Sequence, residues 1–77
     1  MDKNEFELWQ MDAKIGLEGN VFRAMEVYAR KFGQQADLVF ANPIDLLGKK
    51  LDCVGFEVQA MTNVQPGTLW VGRKDNE

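Results

Sequence analysis

The side chains that most often carry covalent or acid–base chemistry are scarce in this 77-residue sequence, which has one cysteine, Cys53, and no histidine. Histidine is the commonest general base and the usual protein ligand of transition metals, so both kinds of site lack their main component. Cys53 follows Asp52, whereas reactive cysteines usually have positively charged neighbours. A nucleophilic Cys53 is the alternative; we interpret this residue as structural and predict no catalytic residues and no enzymatic activity.

Metal and nucleotide sites have weak sequence support. Asp37, Asp45 and Asp52 fall in separate predicted elements, and no loop has the ligand spacing of an EF-hand. Convergence of two of them on Mg²⁺ or Ca²⁺ is the alternative to the solvated carboxylates that we predict. Gly16-x-x-Gly19 precedes a predicted helix but lacks the Gly-Lys-Ser/Thr ending of a phosphate loop, which leaves only an anion contact at the helix N-terminus as an alternative. We predict no metal and no cofactor.

The charge of the chain argues against nucleic acid as the partner. Twelve acidic and nine basic residues give a net charge of −3, which provides no positive field for phosphates. The basic pairs Lys49-Lys50 and Arg73-Lys74, with Trp70 close to the second, are the features that would suit a single strand in a basic groove. The charged N-terminal residues predict no signal peptide, and apolar runs far below roughly 20 residues predict no membrane span. We expect a soluble protein in a reducing compartment.

Periodicity predicts a strand and then a helix in the first half of the chain. Apolar and polar residues alternate from Trp9 to Ile15, as in a strand with one buried face, while Leu8 has the opposite parity. Gly16–Gly19 would end this strand, and Asn20 is a suitable N-cap for an amphipathic helix of about three turns. Gly33 would close the helix in the left-handed conformation. The predicted buried face of the helix comprises Val21, Met25, Tyr28 and Phe32.

The second half predicts three further strands and a short helix. Ala36–Ala41 is an apolar strand, Asn42-Pro43 starts a helix that can run only to Leu47, and Val54–Ala60 alternates as a longer strand. Pro66-Gly67 suits the central positions of a type II turn. The last strand, Thr68–Arg73, is predicted to form a hairpin with the strand before it and to lie at the edge of the sheet.

The predicted fold is therefore an α/β two-layer sandwich. A four-stranded mixed sheet carries one principal helix, in the chain order β-α-β-short α-β-β, and its first β-α-β unit is expected to be a parallel crossover. Residues 1–77 are predicted to form one domain, with residues 1–5 and 74–77 flexible. A domain of this size has a thin core, and contact with a partner would supply additional burial.

Three segments, residues 38–46, 51–58 and 64–72, together resemble the C-terminal part of the axial domain of the major capsid proteins of tailed bacteriophages. That family has an apolar strand ending in Asn-Pro, a short helix, a strand, a Pro-Gly turn and a closing strand that ends in Val-Gly. The likeness covers roughly residues 20–73, and Glu57 stands where the family commonly has proline. The chain lacks the arm, extended loop, spine helix and peripheral domain of shell-forming proteins, so the resemblance implies a stand-alone fragment or derivative.

These observations predict a non-enzymatic protein-binding or structural module, phage- or prophage-encoded, related to a capsid domain, and located in the host cytoplasm or on the virion. The alternative is a small acidic inhibitor or regulator that binds a host protein. One helix shields only one face of a sheet, so we expect the other face to mediate a homo-oligomer or a contact with a capsid or host protein. The residues predicted at this contact are Trp70, Leu69, Arg73 and Trp9.

Overall fold

The computed structural model describes residues 6–48 and 55–74 of the chain. The elements are β1 Glu7–Gln10, α1 Gly16–Phe32, β2 Leu38–Ala41, α2 Pro43–Leu46, β3 Glu57–Ala60 and β4 Thr68–Gly72, with a 3₁₀ turn at Ala13–Ile15. The predictions for residues 1–5, Lys49-Lys50, Asp52, Cys53, Val54 and residues 75–77 lie outside the described residues. Within the described ranges, neither helix has the length and apolar content needed to cross a bilayer.

The four strands form one mixed sheet in the order β1-β4-β2-β3. β4 runs antiparallel to both of its neighbours, β1 and β2, whereas β2 and β3 are parallel. The crossover from β1 through α1 to β2 therefore joins two strands that run in the same direction with β4 inserted between them. The predicted four-stranded mixed sheet with one principal helix is confirmed.

The predicted hairpin and the predicted edge position of the last strand are wrong. The turn itself forms as predicted, because the Thr68 amide donates to the Gln65 carbonyl at 3.1 Å and Gly67 has a φ of 84°. It leads into the centre of the sheet, however, and β3 pairs with β2 instead. The apolar residues of β4 lie on both of its faces, as is typical of an inner strand. β3 lies at the edge of the sheet and carries the charged residue Glu57.

The first strand and the start of the helix also differ from the prediction. β1 ends at Gln10 because Asp12 turns the chain: its carboxylate accepts from the Lys14 amide at 3.0 Å and caps the 3₁₀ turn. α1 then begins at Gly16, one turn before the predicted N-cap Asn20, and spans 17 residues. The C-terminal prediction is confirmed, because Gly33 adopts a φ of 69° and donates its amide to the Ala29 carbonyl.

The short helix α2 forms where Asn42-Pro43 predicts it. The Asn42 side chain accepts from the Ile44 amide at 2.9 Å, and its amide group donates to the Val64 carbonyl at 2.8 Å. This second bond fixes the start of α2 to the segment that precedes the Pro66-Gly67 turn. One buried side chain therefore both caps a helix and positions the connection that leads into β4.

The sheet separates two apolar clusters. α1 covers one face and packs its buried side chains against Val39, Ala41, Leu69 and Val71. Val21, Met25 and Tyr28 are buried as predicted, and Phe32 is partly buried against the same cluster. On the opposite face, Leu38, Phe40 and Val64 form a smaller cluster with the partly buried side chains of Phe6, Met61 and Trp70. We call this second face the open face.

Gly72 leaves room for the Phe6 ring on the open face. A Cβ atom at position 72 would come within 2.6 Å of the Phe6 ring, closer than any stable contact. We expect Gly72→Ala to lower the free energy of unfolding by about 1–3 kcal/mol, because Phe6 must leave its position over β4. Chemical denaturation measures this cost. In a Phe6→Ala background the same substitution should cost much less, and an equal cost in both backgrounds would contradict the contact.

Candidate interaction face

A row of four side chains crosses the open face at mid-sheet. The pairing registers place Leu8 beside Trp70, Trp70 beside Phe40, and Phe40 beside Gln59. Directly opposed side chains of neighbouring strands lie close enough to contact one another. The row therefore runs from an apolar end on β1 to a polar end on β3.

Leu8 is the most exposed member of this row. Its side chain retains 61% of its accessible surface, although it lies in a strand and next to an aromatic neighbour. Trp70 beside it is only partly buried, whereas Phe40 further along is 6% exposed. Leu8 and Trp70 thus form an apolar patch in contact with solvent, which we call the Leu8–Trp70 patch.

Aromatic and aliphatic side chains of several elements pack around the Leu8–Trp70 patch. The rings of Phe6 and Phe40 lie 5.5 Å apart between centroids, within the range of favourable aromatic pairs. Met61 and Val64, from the connection between β3 and β4, pack against the same cluster. Because these neighbours are held from several elements, a partner on this face would meet a largely preformed surface.

The β3 side of the open face carries the charge. The Lys74 ammonium lies 2.9 Å from the Glu57 carboxylate, and the Gln59 amide donates to the same carboxylate at 2.7 Å. The hydrogen bond from Lys74, followed by that from Gln59, lowers the pKa of Glu57 below its ordinary value. The two charges compensate each other, so this half of the face is polar and close to neutral.

The Glu57 carboxylate provides a pH test of this arrangement. A lowered pKa in the folded state favours folding above the ordinary glutamate pKa of about 4.3, and that contribution is lost as the pH falls through the folded pKa. The group is exposed, so we expect a small effect on stability. Lys74→Gln should raise the Glu57 pKa in an NMR titration, more than Gln59→Ala does. An unchanged value in Lys74→Gln would contradict the contact.

The structure divides the four predicted interaction residues among different environments. Trp70 lies on the open face, where it is partly buried. Leu69 is fully buried beneath α1, so its assignment to a contact with a partner is wrong: its parity along β4 is opposite to that of Trp70. Trp9 lies on the α1 face and donates its indole N–H to Asn20 at 3.0 Å. Arg73 follows β4 and donates to the Gln35 carbonyl at 2.6 Å.

Leu8 is the functional candidate that sequence reasoning missed. Its parity opposed the Trp9–Ile15 alternation and suggested only an irregularity before the strand. A strand that contains Trp9 on one parity and Leu8 on the other has apolar residues on both faces, and this was the available signal. The exposure of Leu8 depends on the neighbours that cover the open face, which local sequence does not contain.

Other exposed apolar side chains are scattered over the surface. Phe22 of α1 is 50% exposed and meets Phe56 edge-on at 6.3 Å, beside a groove of about 360 Å³. Ile44 of α2 and Leu47, which follows the helix, are 69% and 79% exposed. Among the described residues, no group of three or more acidic, cysteine or histidine side chains is placed to hold a metal ion. Isolated exposed apolar residues are common, so Leu8 stands out by its position beside Trp70.

A second pocket, of about 340 Å³, lies at the start of α1 near Asn20, Asp45 and Gly67. Its polar groups already have partners. The Asn20 side chain bonds to Trp9, Asp12 and Gly16, and the Asp45 carboxylate accepts from the Gly67 amide at 2.8 Å. These bonds give the pocket a structural role in joining α1, α2 and the turn before β4.

Comparison of this chain with protein-family models, with curated proteins and with solved structures yields no match. The function of this chain is therefore inferred from its residues and from the geometry of the open face.

Proposed function

We propose that this chain is a non-enzymatic protein-binding and structural module that contacts its partner through the Leu8–Trp70 patch. The observation that carries the proposal is the 61% exposure of Leu8 directly beside the partly buried Trp70, on the sheet face that α1 leaves uncovered. Tryptophan is enriched at the energetic centres of protein interfaces, and an exposed apolar neighbour adds burial when a partner binds.

We also propose which class of protein this module binds and where it is encoded. The resemblance of residues 38–46, 51–58 and 64–72 to a capsid axial domain supports a phage- or prophage-encoded module that joins copies of itself or capsid subunits, in the host cytoplasm or on the virion. The charge of the chain supports a protein partner over nucleic acid, because a net charge of −3 repels phosphates.

The proposed function can be tested by measuring whether the chain self-associates. We expect sedimentation equilibrium of the wild type at high micromolar concentration to show an assembly larger than the monomer. Leu8→Glu should abolish it, because a carboxylate in the patch would lose its hydration on contact. Leu47→Glu is the matched control: it introduces the same charge at the exposed leucine that follows α2, and it should associate like the wild type.

The outcomes separate the proposed role from its alternative. Equal association of Leu8→Glu and the wild type would exclude the Leu8–Trp70 patch as the contact. A strictly monomeric wild type, with Trp70 emission typical of a buried side chain, would remove the self-associating module and leave a small acidic regulator of a host protein as the better reading.

A further inference from the structure

We propose that two copies of this chain join through their β1 strands, antiparallel and with Leu8 opposite Leu8, to form one continuous eight-stranded sheet. The inference rests on the proposed function and names its partner and geometry. It follows from the sheet order β1-β4-β2-β3, in which β1 pairs on one side only among the described strands. An edge strand presents unpaired backbone groups that another strand can bind.

One hydrogen bond shows which backbone groups of β1 point toward β4. The Met11 amide donates to the Gly67 carbonyl at 2.9 Å and continues the register in which Trp9 opposes Leu69. Hydrogen-bonded pairs alternate along antiparallel strands, so the backbone groups of Trp9 and Glu7 also face β4. Those of Leu8 and Gln10 consequently face away from β4, on the side of β1 where no other described strand pairs, and can pair with a second copy.

Two-fold symmetry restricts the register of such a pairing. Opposed residues must share a sheet face, so one residue must lie opposite the same residue of the other strand, with the two-fold axis midway between them. Centring on Leu8 pairs all the outward groups of Phe6, Leu8 and Gln10. Centring on Trp9 would require the Asp12 amide, which already donates to the Asn20 side chain at 2.7 Å. The Leu8-centred register is therefore the better one.

Side-chain chemistry favours the same register. The open-face side chains near β1 are Phe6, Leu8 and Gln10, none of which is charged, and Leu8 would bury its exposed surface against its symmetry mate. Glu7 on the other face is compensated by Lys31 of its own chain at 3.2 Å. Over the described residues of β1, two acidic chains can thus approach without opposing unpaired carboxylates, which makes a second copy the fitting partner.

The opposite edge explains why pairing would stop at two copies. β3 presents the Glu57–Lys74 ion pair on its open-face side, and charged side chains at an edge discourage further strand addition. The dimer would bring two Leu8–Trp70 patches together at the axis. A short strand pair buries less than the roughly 800 Å² per partner of stable complexes, so we expect a dissociation constant in the micromolar range.

A pair of proline variants tests the edge contact. Gln10→Pro removes an outward amide without touching Leu8 or Trp70, and the dimer dissociation constant should rise about tenfold or more, equivalent to 1.4 kcal/mol. Ala60→Pro is the control on the other edge. Its amide faces away from β2, because the amides of Glu57 and Met61 donate to β2-side carbonyls of Asp37 and Ala41, and it should leave the dimer unchanged.

Cross-linking tests the register. In a Cys53→Ser background, Leu8→Cys should form an intermolecular disulfide on mild oxidation, because opposed residues of a hydrogen-bonded pair have Cα atoms about 5.5 Å apart. Gln10→Cys should not cross-link, since it opposes Phe6 of the other copy. Efficient cross-linking at position 10 and none at position 8 would overturn the register.

The results distinguish a failure of the β1 edge contact from a failure of the proposed function. A dimer that tolerates Gln10→Pro but is lost in Leu8→Glu packs face to face, which overturns the edge contact and leaves the proposed function intact. A monomeric wild type overturns both the edge contact and the self-associating function.

Discussion

Asn20→Ala is expected to lower the free energy of unfolding by roughly 2–4 kcal/mol, since each buried polar group that loses its partner costs about 1–3 kcal/mol. The Asn20 side chain is 1% exposed and forms four hydrogen bonds. It accepts from the Trp9 indole and the Asp12 amide, and it donates to the carbonyls of Asp12 and Gly16. Removing it disconnects β1, the turn after it and the first turn of α1 together.

Chemical denaturation of Asn20→Ala, with Asn42→Ala alongside, measures this effect. Asn42 is also buried but forms two side-chain bonds, so its loss should cost less. The Trp9 indole N–H signal should also shift in NMR spectra of Asn20→Ala, because its acceptor is gone. A free energy of unfolding within about 0.5 kcal/mol of the wild type is typical of surface substitutions. It would contradict the conclusion that Asn20 connects β1, the turn after it and α1.

Met25→Asp is expected to prevent folding. Met25 lies on the buried face of α1 with 8% exposure, against the sheet cluster of Val39, Leu69 and Val71. An unpaired carboxylate there has no compensating partner, and a small domain has only about 5–15 kcal/mol of stability in total. We expect the variant to lack a cooperative thermal transition by circular dichroism.

Two controls separate burial of charge from loss of helix propensity. Met25→Leu keeps the volume and should cost less than about 1.5 kcal/mol. Arg23→Asp places the same carboxylate on the exposed side of α1 and should retain the fold. A cooperative melt of Met25→Asp near the wild-type midpoint would show that this face of the helix is not buried.

The elements with strong local signals were predictable. The apolar spacing of α1, its end at Gly33 and the Asn42-Pro43 start of α2 are each determined by residues within a few positions of one another. The start of α1 was not, because the capping rule assumes that Asn20 bonds forward to the helix amides. Its side chain instead bonds backward to Asp12 and Gly16.

The pairing of β4 could not be predicted from local sequence. A Pro66-Gly67 turn before an apolar strand is compatible with a hairpin and with the observed insertion between β1 and β2. The choice depends on which neighbours bury both faces of β4, Leu69 and Val71 on one and Trp70 on the other. Because β4 lies between β1 and β2, the edge strand is β1 and not β4 as predicted, and Leu8 lies beside Trp70.

NMR spectra of the uniformly labelled wild type, recorded over a dilution series, test whether this chain associates through the open face. We expect the Leu8 amide and the Trp70 indole signals to shift with concentration, while signals from the exposed side of α1, such as those of Arg23 and Glu26, stay constant. Spectra that do not change with dilution, or changes confined to α1, would show that the open face does not mediate association.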